Sequence, residues 1–274
     1  MPYTIEGLEK SRKTGFRPRN IFGALLKEFL DLSDNLQILD AGCGTGFFTR
    51  IIAEQCKADV TGMDINEELL KGARRIAEQE RLNIKFVKGD ITDIPYENEV
   101  FDVVICDIML ECFEDITIPI REMKRVCKEG GIVTAIEPFY QMGFEYFSGM
   151  TTDMRDLIIK FSRADRAFGL GPMLPEYFKK VGLKDIDMVS WFWGRIGYKF
   201  LEFETIEERL YDMQDNLERI KRFLPRSKSF NSSEKKRIIH FYEGRLKYFR
   251  ENPDEMANDM SIRGLPVFIV RGFK

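Results

Sequence analysis

The chain has 274 residues, 44% of them hydrophobic, which is enough for one large domain or one domain carrying an insertion. Its net charge of −3 gives no global attraction to nucleic acid or to an anionic membrane, and its single histidine, His240, excludes a His-centred triad and a multi-His metal site. The five cysteines form no CxxC pair, the N-terminal stretch is polar, and no segment approaches the roughly 20 apolar residues of a membrane span, so a reducing, cytoplasmic setting is expected.

Short apolar runs then alternate with helix-like segments. "LQILD" (36–40), "ADVTGMD" (58–64), "IKFVKGD" (84–90), "FDVVICD" (101–107) and "GIVTAIE" (131–137) read as strands with too little polar alternation for a wet face. Helices are expected between them, over roughly 46–55, 66–79 and 117–128, the last closed by "EGG". This alternation predicts βαβ units and a parallel, doubly wound α/β sheet. "MTTDMRDLIIKFSRADRAF" and "LPEYFKKVG" read as helices, "LKDIDMVSWFW" (183–193) as a sixth strand and "LPVFIVRGF" (265–273) as a last one. Between those two strands, Ile206, Leu210, Met213, Leu217, Ile220 and Leu224 make one apolar stripe, and Asn231 and Glu234 are spaced as a capping box. The pattern predicts three parts: an N-terminal helical lid segment (1–35), a sheet domain (36–195 plus 263–274) and an inserted helical hairpin (196–262).

"LDAGCGTG" (39–46) is a glycine-rich turn behind the first strand. It fails the dinucleotide fingerprint, because Phe47 stands at the sixth position from Gly42 and Gly46 comes one place early. It fails the P-loop pattern as well, having no Gly-Lys-Ser/Thr. Asp40, Asp64, Asp90 and Asp107 fall at or just after successive strand ends, on the carboxyl edge where open α/β sheets bind ligands. Four acids there would repel a pyrophosphate. They suit a ligand with an ammonium group, a sulfonium, ribose hydroxyls and an adenine amine, which describes S-adenosylmethionine.

With "VTGMDINEELL" (60–70), "GDITDIPYENEVFDVVIC" (89–106) and "REMKRVCKEGGIVTAIEP" (121–138), the chain resembles the class I S-adenosylmethionine-dependent methyltransferases over about 36–190. Within that family it looks most like the small-molecule group that includes the quinone-biosynthesis C-methyltransferases. The resemblance implies a seven-stranded Rossmann-like sheet of order 3-2-1-4-5-7-6, its last strand antiparallel, with the hairpin between strands six and seven. It implies that Gly42, Gly44 and Gly46, with Cys43 in the same loop, admit the methionyl part of the cofactor, and that Asp40 meets its ammonium group. Asp64 would hold the ribose hydroxyls, Ile65 would lie against the adenine, and Asp90 would accept from the adenine amine with Ile91 beside it. Asp107 closes the acidic edge.

After the fourth strand the chain departs from the family. Glu111 stands where a histidine is common. If the acceptor must lose a proton, the base candidates are Glu111, Glu137 and Tyr140. Trp191 and Trp193, together with "EPFYQMGFEYF" (137–147), are candidate walls for an aromatic or partly apolar acceptor. Between Arg219 and Arg250, eleven basic residues stand against Glu234 and Glu243, a local +9. Two alternatives therefore stand beside the small-molecule enzyme: an RNA or protein methyltransferase docking through that hairpin, and a non-catalytic cofactor-binding subunit.

Overall fold

The computed structural model describes residues 5–15, 19–139, 144–146, 150–163, 170–196, 205–258 and 262–274. They divide into two compact units: 1–139, 169–191 and 267–274 in one, and 140–168 with 192–266 in the other.

The first unit opens with helices α1 (Ile5–Gly15) and α2 (Arg19–Phe29). Strands β1 (Gln37–Ala41), β2 (Asp59–Asp64), β3 (Lys85–Lys88), β4 (Phe101–Asp107) and β5 (Cys127–Pro138) follow, separated by α3 (Phe47–Gln55), α4 (Glu67–Gln79) and α5 (Thr117–Val126). Further along come α7 (Leu174–Lys180) and most of β7 (Lys184–Ile196) and β8 (Ile262–Phe273), whose residues 192–196 and 262–266 fall in the second unit. β1 to β5 pair in parallel in the order β3-β2-β1-β4-β5, β8 runs antiparallel to β5, and β7 pairs with β8. With β8 as the seventh strand and β7 as the sixth, this is the expected order 3-2-1-4-5-7-6. Mid-strand Leu39, Val104 and Val133 are fully buried, as parallel strands covered on both faces require.

Two local expectations are corrected. β3 is an edge strand with Lys85 and Lys88 exposed, so cover on both faces does not extend to it. The helix expected to reach Lys128 ends at Val126, because Cys127 turns extended and pairs with Phe101 before the ladder shifts register. Buried Val126 and Cys127 serve the core better there than another helical turn.

The second unit contains β6 (Phe144–Tyr146), α6 (Thr152–Arg163), α8 (Ile206–Phe223) and α9 (Ser232–Glu251). β6 pairs with Ile262–Gly264 of β8 and is a strand the sequence did not announce. Leu157, Ile158, Leu217, Leu224, Ile238 and Leu246 form its core. The Asn231–Glu234 capping box is present at the start of α9. Part of the basic run is paired inside this unit: Lys221 meets Glu243 at 3.0 Å, and Arg237 meets Asp153. Lys235 donates to the carbonyls of Pro225 and Ser227.

Candidate cofactor site

The loop after β1 is built by its glycines. Gly42, Gly44 and Gly46 have φ of 85°, 56° and 75°, a region that costs any side chain with a Cβ. At Gly46 a Cβ would also lie 2.9 Å from the Phe86 ring, whereas at Gly44 it would meet open space. The backbone N–H groups of Gly42 and Cys43 both donate to the Met63 carbonyl, at 2.7 and 2.8 Å, which ties the loop to the end of β2.

Asp64 completes the tie. Its Oδ2 accepts from Gly44 N–H at 2.8 Å and its Oδ1 from Asn66 N–H at 2.8 Å. Each carboxylate oxygen keeps a further lone pair for a ligand hydroxyl. Ile65, next to it, is 58% exposed and open to a flat partner. Asp90 lies two residues past β3, half-buried, with Oδ1 accepting from Thr92 N–H and Oγ1–H at 2.8 and 2.7 Å; Ile91 is buried.

Asp40 and Asp107 line one solvent-open pocket with Gly42, Gly44, Leu8 and Arg12. Asp40 is fully buried. Its Oδ2 accepts from Thr49 Oγ1–H at 2.6 Å, and its Oδ1 has no partner among the described residues. Burial, with the Thr49 bond opposing it and the Asp64 charge adding to it, raises its pKa to about 6. Asp107 is raised to about 7, chiefly by burial and against the pull of Arg12, and its Oδ1 also lacks a partner. Two orphaned acidic oxygens in one cavity are the deficit that a ligand's ammonium and sulfonium would fill.

The N-terminal helix covers this loop, and nothing in the sequence pointed to its contacts. Glu9 accepts from Thr45 Oγ1–H at 2.5 Å and from Arg50 at 2.6 Å, while Arg50, fully buried, also reaches the Thr45 carbonyl at 2.7 Å and Glu80 at 3.1 Å. Arg12, one turn beyond Glu9, places Nη1 2.8 Å from Asp107 Oδ2. An arginine in the middle of α3 reads from sequence as a surface residue.

Of the base candidates, Glu137 is fully buried at the carboxyl end of β5. Its Oε1 accepts from the N–H groups of Met109 and Leu110, at 2.9 and 2.7 Å, and so holds the turn that follows β4. Burial above all, with the Glu111 and Asp107 charges adding, raises its pKa to about 8. Glu111 sits in the single 3-10 turn Leu110–Cys112, within electrostatic reach of Glu137 and Asp107. Tyr140 lies outside the described residues, as do the side-chain surroundings of Trp193; Trp191 stacks edge-on against Phe22 at 5.3 Å. Burial pushes the thiols of Cys43 and Cys106 well up, which leaves both as buried apolar groups rather than thiolates.

A family model described as a methyltransferase domain matches residues 32–159. The demethylmenaquinone methyltransferase of Lactococcus lactis is 30% identical over 192 residues, covering 64% of this chain and 76% of that one. That of Shouchella clausii is 28% identical over 182 residues, covering 60% and 77%. Two solved structures share the fold. A methyltransferase-like protein of Bacillus halodurans has a TM-score of 0.54 at 19% identity, over 91% of this chain and 97% of that one. Phosphoethanolamine N-methyltransferase 2 of Haemonchus contortus, solved with S-adenosyl-L-methionine, has a TM-score of 0.55 at 19% identity, over 99% of this chain and 57% of that one. A glycine turn bound to an acidic strand edge thus comes with a family that explains both, and the chain belongs to the class I S-adenosylmethionine-dependent methyltransferases that act on small molecules.

Proposed function

We propose that the methyl acceptor is an aromatic, partly apolar molecule of the prenylated hydroquinone type. The observation that carries this reading is the likeness to the demethylmenaquinone methyltransferase of Lactococcus lactis. Bound S-adenosylmethionine supplies a methyl group that is already electrophilic. The protein's share is to align the acceptor, to exclude water and, for a ring-carbon acceptor, to let one proton leave.

Residue roles follow from that division. Gly42, Cys43, Gly44 and Gly46 admit the methionyl chain, Asp40 and Asp107 neutralise its cations, Asp64 and Ile65 take the ribose and one adenine face, and Asp90 and Ile91 take the adenine edge. Glu111 is the favoured proton acceptor. Glu137 holds the turn that carries Glu111. The sheet domain is proposed to hold the cofactor, and residues 1–35 to form the lid. The ion pairs that Lys221 and Arg237 make with Glu243 and Asp153 reduce the charge that the hairpin would offer RNA as a docking surface.

The test is a transfer assay with a short-chain demethylmenaquinol, isotope-labelled donor and host lysate as a competing source of acceptors. A product heavier by one methylene, lost in Asp64→Ala, is expected. Label that moves instead into a nuclease- or protease-sensitive fraction would replace the small-molecule acceptor with a macromolecule. Cofactor binding with no label in any fraction would favour the accessory subunit.

A further inference from the structure

We infer that the closed end of the α8–α9 hairpin is a docking surface for an anionic phospholipid bilayer. The inference rests on the proposed function for its purpose, since an acceptor with a prenyl tail dissolves in a bilayer rather than in water. The hairpin lies outside residues 32–159, which the methyltransferase family model matches, so the surface is a feature of this chain.

Residues 219–233 carry Arg219, Lys221, Arg222, Arg226 and Lys228 and no acid. Lys221 is spent on Glu243. Arg219, Arg226 and Lys228, with Lys236 at the start of α9, are exposed and meet no acid at ion-pair distance among the described residues. The neighbouring acids are engaged elsewhere: Glu234 caps α9 and meets Lys160 at 2.8 Å, and Glu218 accepts from Gln214 at 2.9 Å. Phe223, one turn after Arg219 on the same helix face, is 47% exposed.

The pairings Gln214–Arg250 and Lys221–Glu243 step down one helix and up the other. The helices therefore run antiparallel, and Lys228 and Lys236 flank the closed end. That end is built rather than loose. Leu224 and Phe230 are buried beneath it, and Lys235 ties the Pro225 and Ser227 carbonyls. Docking then costs little ordering. The net charge of −3 gives the whole chain no attraction to an anionic surface, so the attraction is local. Cations gathered at one end around one exposed ring suit a plane of phosphates with an apolar layer beneath it. A nucleic-acid strand asks instead for cations and several stacking rings spread along a groove.

Co-sedimentation of the full-length chain with vesicles tests this. Each cation near an anionic surface is worth about fivefold in binding. The wild type is expected to bind vesicles of equal phosphatidylglycerol and phosphatidylcholine about 100-fold more tightly than phosphatidylcholine alone, a preference that high salt removes. Arg226→Gln with Lys228→Gln should weaken that binding about 25-fold, and Phe223→Ser about fivefold, at unchanged melting temperature. Phe223→Trp should retain it and add blue-shifted emission on the mixed vesicles. None of these variants should slow methylation of a soluble short-chain demethylmenaquinol. Equal wild-type binding to both vesicle types, or unchanged binding in the double Gln variant, would overturn the inference. So would tighter binding to single-stranded RNA than to the mixed vesicles, lost in the same variant, which would make the hairpin end a nucleic-acid dock. A wild type that binds mixed vesicles yet leaves the short-chain quinol unmethylated would overturn the acceptor reading and leave the docking surface standing.

Discussion

The buried carboxylate of Glu137 accepts the backbone N–H of Leu110 at 2.7 Å, across 27 residues of chain. The same oxygen takes Met109 N–H, so one side chain at the end of β5 fixes the turn leaving β4. Glu137→Ala strands two donors and is expected to cost about 3 kcal/mol by urea denaturation, whereas Glu137→Gln keeps an acceptor and should cost under about 1 kcal/mol. The pH dependence separates them further. Raised from 4.5 to about 8, the group binds a proton in the folded state over a window where the unfolded chain has released it. Its contribution is complete below about pH 4.5 and is lost as pH rises through 8. Wild-type stability should fall across that window by up to ~1.4 kcal/mol per pH unit from this group, and Glu137→Gln should flatten the slope.

Cofactor affinity should carry the opposite slope. Asp40 and Asp107, at about 6 and about 7, must both be ionised to meet a cationic ligand. Affinity is expected to rise with pH up to about 7 and then level, with protons released on binding. Calorimetry in buffers of different ionisation enthalpy reads that release directly. Asp107→Asn should lower the plateau and remove the upper part of the dependence.

Glu9 and Arg50 form a buried ion pair at 2.6 Å. Removing one partner strands the other, so Glu9→Leu is expected to destabilise by about 3 kcal/mol, moderated by the remaining Glu80 contact of Arg50 at 3.1 Å. The double change Glu9→Leu with Arg50→Met should cost less than Glu9→Leu alone, because two apolar side chains satisfy each other where one charge does not. Chemical denaturation of the three proteins settles the order. A double variant less stable than both singles would show that the pair, not its desolvation, dominates.

Asp64→Asn keeps a side-chain oxygen for one backbone donor but offers an amide to the other, Gly44 or Asn66. A cofactor affinity about 10- to 100-fold weaker is expected, with a lower melting temperature. Unchanged affinity would remove Asp64 from the ribose contact proposed for it.

The sheet was legible because its signals are local. "LQILD" and "FDVVICD" are apolar without alternation, and the structure buries Leu39 and Val104 on a doubly covered sheet. The acids at the strand ends were legible for the same reason, since a strand's end fixes where its last side chain sits. What escaped was long-range and polar. Glu9, Arg12 and Arg50 look like solvated charges in their own helices, and the contact that buries Arg50 spans 41 residues. β6 escaped because a three-residue strand has no period to detect; it exists through its pairing with Ile262–Gly264.

The first helix bears on how the protein is best produced. Its sequence, "IEGLEKSRKTG", is polar and invites trimming as a dispensable leader. A chain begun after residue 15 would lose Leu8 and Arg12 from the lining of the pocket they share with Phe47 and Phe48, and would leave Arg50 with Glu80 but without its nearer counter-ion Glu9. Such a shortened protein would open an aromatic-lined pocket to water beside a buried charge with one counter-ion fewer, and it is the soluble yield of the trimmed form, before any assay of turnover, that would suffer first.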